Sequence, residues 1–91
     1  MELSISDLYE ASFYLLNGLE LTDISCSYLN NKVLCQLHFT GAKATELQYL
    51  YFQGKCMVNL FEFRRTYSHL NFQIHEAKKK FRKLNKQGGD V

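Results

Sequence analysis

The side chains best placed to do chemistry in this chain are cations. Arg64 and Arg65, then Lys78, Lys79, Lys80, Arg82, Lys83 and Lys86, crowd into the last third of the 91 residues, with Phe61 and Phe72 among them. Residues 1 to 58 carry three Lys against six Asp or Glu, a net of −3, while residues 59 to 91 carry eight Lys or Arg against three acids, a net of +5, which gives the total of +2. Cations along a helix can follow a line of phosphates, and an exposed aromatic ring can stack on an unpaired base, the combination used for single strands. The sequence therefore nominates Arg64, Arg65, Phe72, Lys78, Lys79, Lys80, Arg82 and Lys83 as a nucleic-acid surface. The competing reading is a solvated face whose positive charge simply suits the C-terminal end of the helix dipole. A membrane surface is disfavoured, because Phe61 and Phe72 are too few for an inserted apolar face.

The other reactive side chains form no site by spacing. Cys26, Cys35 and Cys56 are an odd number without a Cys-x-x-Cys pair, so neither a zinc site nor a disulfide framework is indicated. His69 and His75 are six positions apart and fall off a common helix face, so no metal ligands are assigned. The five glycines are scattered and make no phosphate-binding loop. No nucleophile stands beside a base. We expect no catalysis, no cofactor and no small-molecule substrate.

The element that must carry the cations is the clearest in the chain. Leu60, Phe63, Tyr67, Leu70, Ile74, Ala77, Phe81 and Leu84 recur at spacings of 3, 4, 3, 4, 3, 4 and 3, which predicts an amphipathic helix from Asn59 to Leu84. Asn59 is its expected cap, Val58 can staple onto Phe63, and Lys83, Lys86 and Gly88-Gly89 mark its end. At about 1.5 Å per residue it would run roughly 38 Å, longer than a domain of this size needs. We expect a compact part at about residues 4 to 75, with residues 76 to 87 projecting. The seam supports a second class of function, a protein–protein interaction module, homodimeric or adaptor-like, using Tyr67, Leu70, Ile74, Ala77, Phe81 and Leu84. In that reading Leu60 to Ile74 covers the hairpin and Ala77 to Leu84 extends into a dimer contact or a partner's groove.

Upstream, a first helix is expected to begin near Ser4 or Ser6 and to stop at Asn17-Gly18. Ile24, Cys26 and Tyr28 alternate before Asn30-Asn31, and Val33, Cys35, Leu37 and Phe39 alternate after it, which predicts a hairpin with a two-residue turn. That register places Tyr28 opposite Val33, Cys26 opposite Cys35 and Ile24 opposite Leu37, and leaves His38 on the outer face. The two cysteines would then sit close enough for a disulfide, although two reduced core thiols are favoured in a reducing compartment. A second helix is expected to open at Gly41-Ala42-Lys43-Ala44 and to end at Phe52, with Gly54 as its stop; Lys55 to Val58 would add a short edge strand. The fold class is α+β in one domain of residues 1 to 91: helix, β-hairpin, helix, short edge strand, long amphipathic C-terminal helix. No apolar run approaches the roughly 20 residues of a membrane span, and the first residues lack a secretory signal, so a cytoplasmic location is expected.

Asp7-Leu8-Tyr9-Glu10-Ala11, then Leu15-Leu16-Asn17-Gly18, the hairpin, a helix ending Tyr51-Phe52-Gln53-Gly54, Val58 and the closing amphipathic helix are similar to a family of short bacterial proteins known only as a domain of unknown function. The resemblance spans roughly residues 5 to 84. It implies this order of elements and a bacterial or mobile-element origin, and it supplies no catalytic residue. Where the family pattern has an acidic, proline-containing approach to the second and third helices, this chain has Gly41 and Asn59-Leu60.

Overall fold

Asn30 and Asn31 both adopt positive φ, 52° and 65°, the backbone of a tight two-residue turn that matches the twist of the strands it joins. The computed structural model describes the backbone of residues 2–89 and the side chains of residues 2–84. Around the turn, β2 (Glu20–Leu29) and β3 (Lys32–Thr40) pair in the expected register, with Tyr28 opposite Val33, Cys26 opposite Cys35 and Ile24 opposite Leu37. Val33, Cys35, Leu37 and Phe39 are buried at every second position, while Ser25, Ser27 and Gln36 face solvent. The hairpin thus buries one face only. A bulge between Leu21 and Asp23 shifts the register near the far end of β2, and the Thr22 hydroxyl donates to the His38 carbonyl at 3.1 Å.

The third strand does not come from Lys55–Val58, which has no strand structure. It comes from β1 (Glu2–Ile5), antiparallel to β3, so the sheet order is β1-β3-β2. Leu3 and Ile5 alternate with Glu2 and Ser4 and reach the core, whereas an isolated four-residue alternation beside Ser4 and Ser6 reads equally well as the approach to a helix. The first helix accordingly starts later than expected. In α1 (Leu8–Leu16) the cap is Asp7, whose Oδ1 accepts the Tyr9 N–H at 2.8 Å. It ends as the sequence indicates: Gly18 takes φ of 94°, the Leu19 N–H donates to the Tyr14 carbonyl at 3.1 Å and the Gly18 N–H to the Leu15 carbonyl at 3.3 Å. The same closure ends α2 (Ala44–Phe52), where Gly54 has φ of 70° and the Lys55 N–H reaches the Leu50 carbonyl at 3.0 Å.

The fold is α+β, with the helices against the inner face of the sheet. Its core joins Leu3, Ile5, Phe13, Tyr14, Leu37, Phe39, Leu47, Leu70 and Ile74. The long helix α3 (Leu60–Gly89) starts at a true cap, with the Glu62 N–H donating to Asn59 Oδ1 at 3.1 Å. Its early turns lie on α1 rather than on the hairpin: the Tyr9 ring stands 5.1 Å from that of Tyr67 and 6.3 Å from that of Phe63. Leu70 and Ile74 enter the core, and Phe81 meets Tyr28 of β2 at a ring separation of 5.0 Å. The fold therefore uses the seam from Phe63 to Phe81, while Leu60 is exposed, and the packed part of the chain begins at β1 and extends beyond residue 75. At about 1.5 Å per residue the 30 residues of α3 span roughly 45 Å, which accounts for the 50 Å long dimension. Among the described residues no helix is long and apolar enough to cross a membrane.

Candidate nucleic-acid interface

Geometry divides the eight nominated residues into two groups. Arg64 borders a cleft with Tyr9, Phe63, Tyr67 and Ser68, and Arg65 is exposed beside it. The other cations lie more than three turns further along the same helix, roughly 20 Å away. Lys78, Lys79, Lys80, Arg82 and Lys83 occupy five of six consecutive positions, with Glu76 the nearest acid in sequence. Lys79, Lys80, Arg82 and Lys83 are exposed and Lys78 is half-buried over the sheet. Phe72 lies two turns before this cluster and is 62% exposed, so its ring is available to stack. The side chain of Lys86 lies outside the described residues.

The helix presents different cations to different neighbours. Lys78 joins Val33, Cys35, Ile74 and His75 around a cleft of about 250 Å³ above β3. Lys80 joins Asp23, Ile24, Phe72, Gln73, Glu76 and Ala77 around a groove of about 430 Å³ beside β2. Lys79, Arg82 and Lys83 occupy the turns between these two directions, away from the core residues Leu70 and Ile74.

The residues nominated as a partner interface fare differently. Leu70 is fully buried and Ile74 nearly so, which removes both from any surface. Tyr67, Ala77 and Phe81 are half-buried, with Tyr67 against Tyr9 and Phe81 against Tyr28, and Leu84 is exposed. The core takes Leu70 and Ile74 from the seam, and Leu84 near its end stays exposed.

The remaining reactive groups are held quietly. The Cys26 and Cys35 sulfurs are 2.8 Å apart and both are free thiols. Burial, with the hydrogen bond to Cys26 adding to it, pushes the Cys35 thiol up to about 11, so it is protonated at neutral pH and a poor nucleophile. Burial also raises the Cys56 thiol. His38 forms a row that the sequence did not disclose: its Nδ1 is 3.0 Å from Ser4 Oγ on β1 and its Nε2 is 2.7 Å from Ser25 Oγ on β2. These distances suit a hydroxyl–imidazole pair, and both serines are exposed on the outer face of the sheet. The row links three strands and was invisible without the pairing of β1. Among the described residues no three His, Cys, Asp or Glu side chains are grouped to hold a metal ion.

No protein-family model matches the chain, and no curated protein or solved structure matches it.

Proposed function

We propose that this protein is a small non-catalytic accessory protein that associates with nucleic acid through the C-terminal half of α3. One observation carries the reading: five cations in six positions, four of them exposed, stand on a helix whose apolar side is already occupied by the core. A helix needs one or two basic residues near its end to complement its dipole, not a band of five. Neutralising phosphates is the task that rewards such a band, because each contact releases counterions. Phe72 adds a base-stacking platform within two turns of the band. Association of this kind selects the backbone of an unpaired strand and is tolerant of sequence.

The test is fluorescence anisotropy with a short unstructured oligonucleotide, comparing the native chain with the variant Lys79→Gln/Lys80→Gln/Arg82→Gln/Lys83→Gln. Loss of four phosphate contacts should make the slope of log affinity against log salt shallower by about 3 and weaken binding by tenfold or more at low salt. Equal affinity and equal slope for the two proteins, with circular dichroism showing both folded, would remove the proposal.

A further inference from the structure

We infer that the open edge of β2 and the side of α3 above it form the interface of a two-fold dimer of this chain. The inference starts from main-chain bonding rather than from charge, and it takes Phe72 and Lys80 into the dimer, leaving Lys79, Arg82 and Lys83 on the helix for phosphates. Among the described residues β2 pairs with β3 on one side and no strand pairs with its other side. Residues flanking a two-residue turn form a hydrogen-bonded pair, and the pairs then alternate, so Leu29, Ser27 and Ser25 spend their main-chain groups on β3. Those of Ile24, Cys26 and Tyr28 point outward with no strand to accept them. Protected edges carry Lys, Pro or a charge that points inward. From Ile24 to Leu29 this edge has none of these.

A second copy of β2, antiparallel and centred on Cys26, would satisfy every outward group from Ile24 to Tyr28. Cys26 would face its own counterpart, and Ile24 would face Tyr28 of the other copy, in narrowly spaced hydrogen-bonded pairs. The side chains brought together lie on the inner face of the sheet. There the half-buried Ile24 would cover Tyr28, which in one chain is 51% exposed.

The helix above gives the same answer from its own residues. Phe72, Glu76, Lys80 and Leu84 recur every fourth position and form a ridge, of which the first three line the groove beside Asp23 and Ile24. When such a ridge meets its own copy antiparallel about position 78, Phe72 falls opposite Leu84, and Glu76 falls opposite Lys80, in each direction. Phe72 and Leu84 are 62% and 67% exposed in one chain. The charges in the middle are opposite in sign and the ends are apolar, so the ridge complements itself.

Both layers share one axis. Ile24 lies at the groove with Ala77 and Lys80, and Tyr28 lies against Phe81, so α3 runs along β2 in the same sense. Lys78 lines the cleft above β3 together with Cys35, the residue that Cys26 faces across the hairpin, so position 78 and Cys26 lie at one level of the sheet. A rotation that reverses β2 at Cys26 therefore reverses α3 close to Lys78. The mixed charge of the groove, Asp23 and Glu76 facing Lys80, suits a copy of itself and disfavours a polyanion.

Sedimentation equilibrium of the full chain, from about 1 to 100 µM, tests this together with amide exchange. The native protein should approach a mass twice the 10.7 kDa of one chain. Lys80→Glu and Glu76→Lys each set like charges against each other twice and should weaken the dimer about tenfold or more. The double exchange Glu76→Lys/Lys80→Glu should restore it, which loss of folding could not do. The amides of Ile24, Cys26 and Tyr28 should be protected in the native protein and exchange freely in either single variant. A monomer throughout the concentration range, or a dimer indifferent to both single reversals, would overturn the inference. So would a dimer whose three β2 amides exchange as an open edge does.

Discussion

Replacing Tyr14 by Phe isolates one buried polar contact from all the packing around it. Tyr14 is fully buried and its hydroxyl donates to Glu10 Oε2 at 2.6 Å, one turn back on α1, where Glu10 is itself only 8% exposed. Among the described residues no buried side-chain nitrogen or oxygen lacks a partner. The substitution leaves the ring in place against Phe13, Phe39 and Tyr51, so it opens no cavity of consequence. What it removes is a short hydrogen bond to a carboxylate that has left water, worth about 1.5 to 3 kcal/mol, and it leaves that carboxylate stranded. For a domain of this length, 2 kcal/mol corresponds to a fall in Tm of about 8 to 16 °C. Urea unfolding followed by circular dichroism should show a lower midpoint at an unchanged slope. The double variant Glu10→Leu/Tyr14→Phe should recover much of the loss, giving a coupling of about 1 kcal/mol or more. A Tyr14→Phe protein within about 0.5 kcal/mol of the native one would refute the reasoning, since that is the size of an ordinary surface change.

Two further outcomes follow from local geometry. Because the folded state holds the Cys35 proton up to about 11, against an ordinary value of 9.0, the stability present below pH 9 should decline as pH rises toward 11; Cys56, raised by burial, acts in the same direction. The raised phenols of Tyr14 and Tyr51 add to this only above about pH 10, so Cys35→Ala should flatten the stability slope between pH 9 and 10, and an unchanged slope would contradict the assignment. Asn59→Ala should cost about 1 kcal/mol through loss of the Oδ1 acceptor for the Glu62 N–H, measured as a shift in the denaturation midpoint, whereas Asn59→Asp should cost little.

The parts of the fold legible in sequence are those where local chemistry leaves one solution. Asn30-Asn31 tolerate positive φ, and the alternation on each side then fixes the register of β2 and β3. Gly18 and Gly54 close their helices for the same reason. β1 was not legible because four residues at the start of the chain cannot announce the strand they will join, and Ser4 and Ser6 offer a competing cap. The division of the α3 seam was misplaced for a related reason: a 3-4 spacing says that a face is buried and is silent about what lies beneath it. Tyr9 on α1 takes the early turns and Tyr28 on β2 takes Phe81. The cations were nominated by residue type, which is why Arg64 and Arg65 came into the same set as a band some 20 Å away. The ridge of Phe72, Glu76, Lys80 and Leu84 escaped notice until the groove beside β2 showed which side of the helix it occupies.

The salt dependence of oligonucleotide binding by the native chain, between about 50 and 300 mM, bears most directly on the role of α3. Four or five phosphate contacts to a single strand should give a slope of log affinity against log salt of about −3, with little preference among unstructured sequences. No binding at the lowest salt, or an affinity that stays level as salt rises, would contradict that role and leave the cations as a solvated helix end.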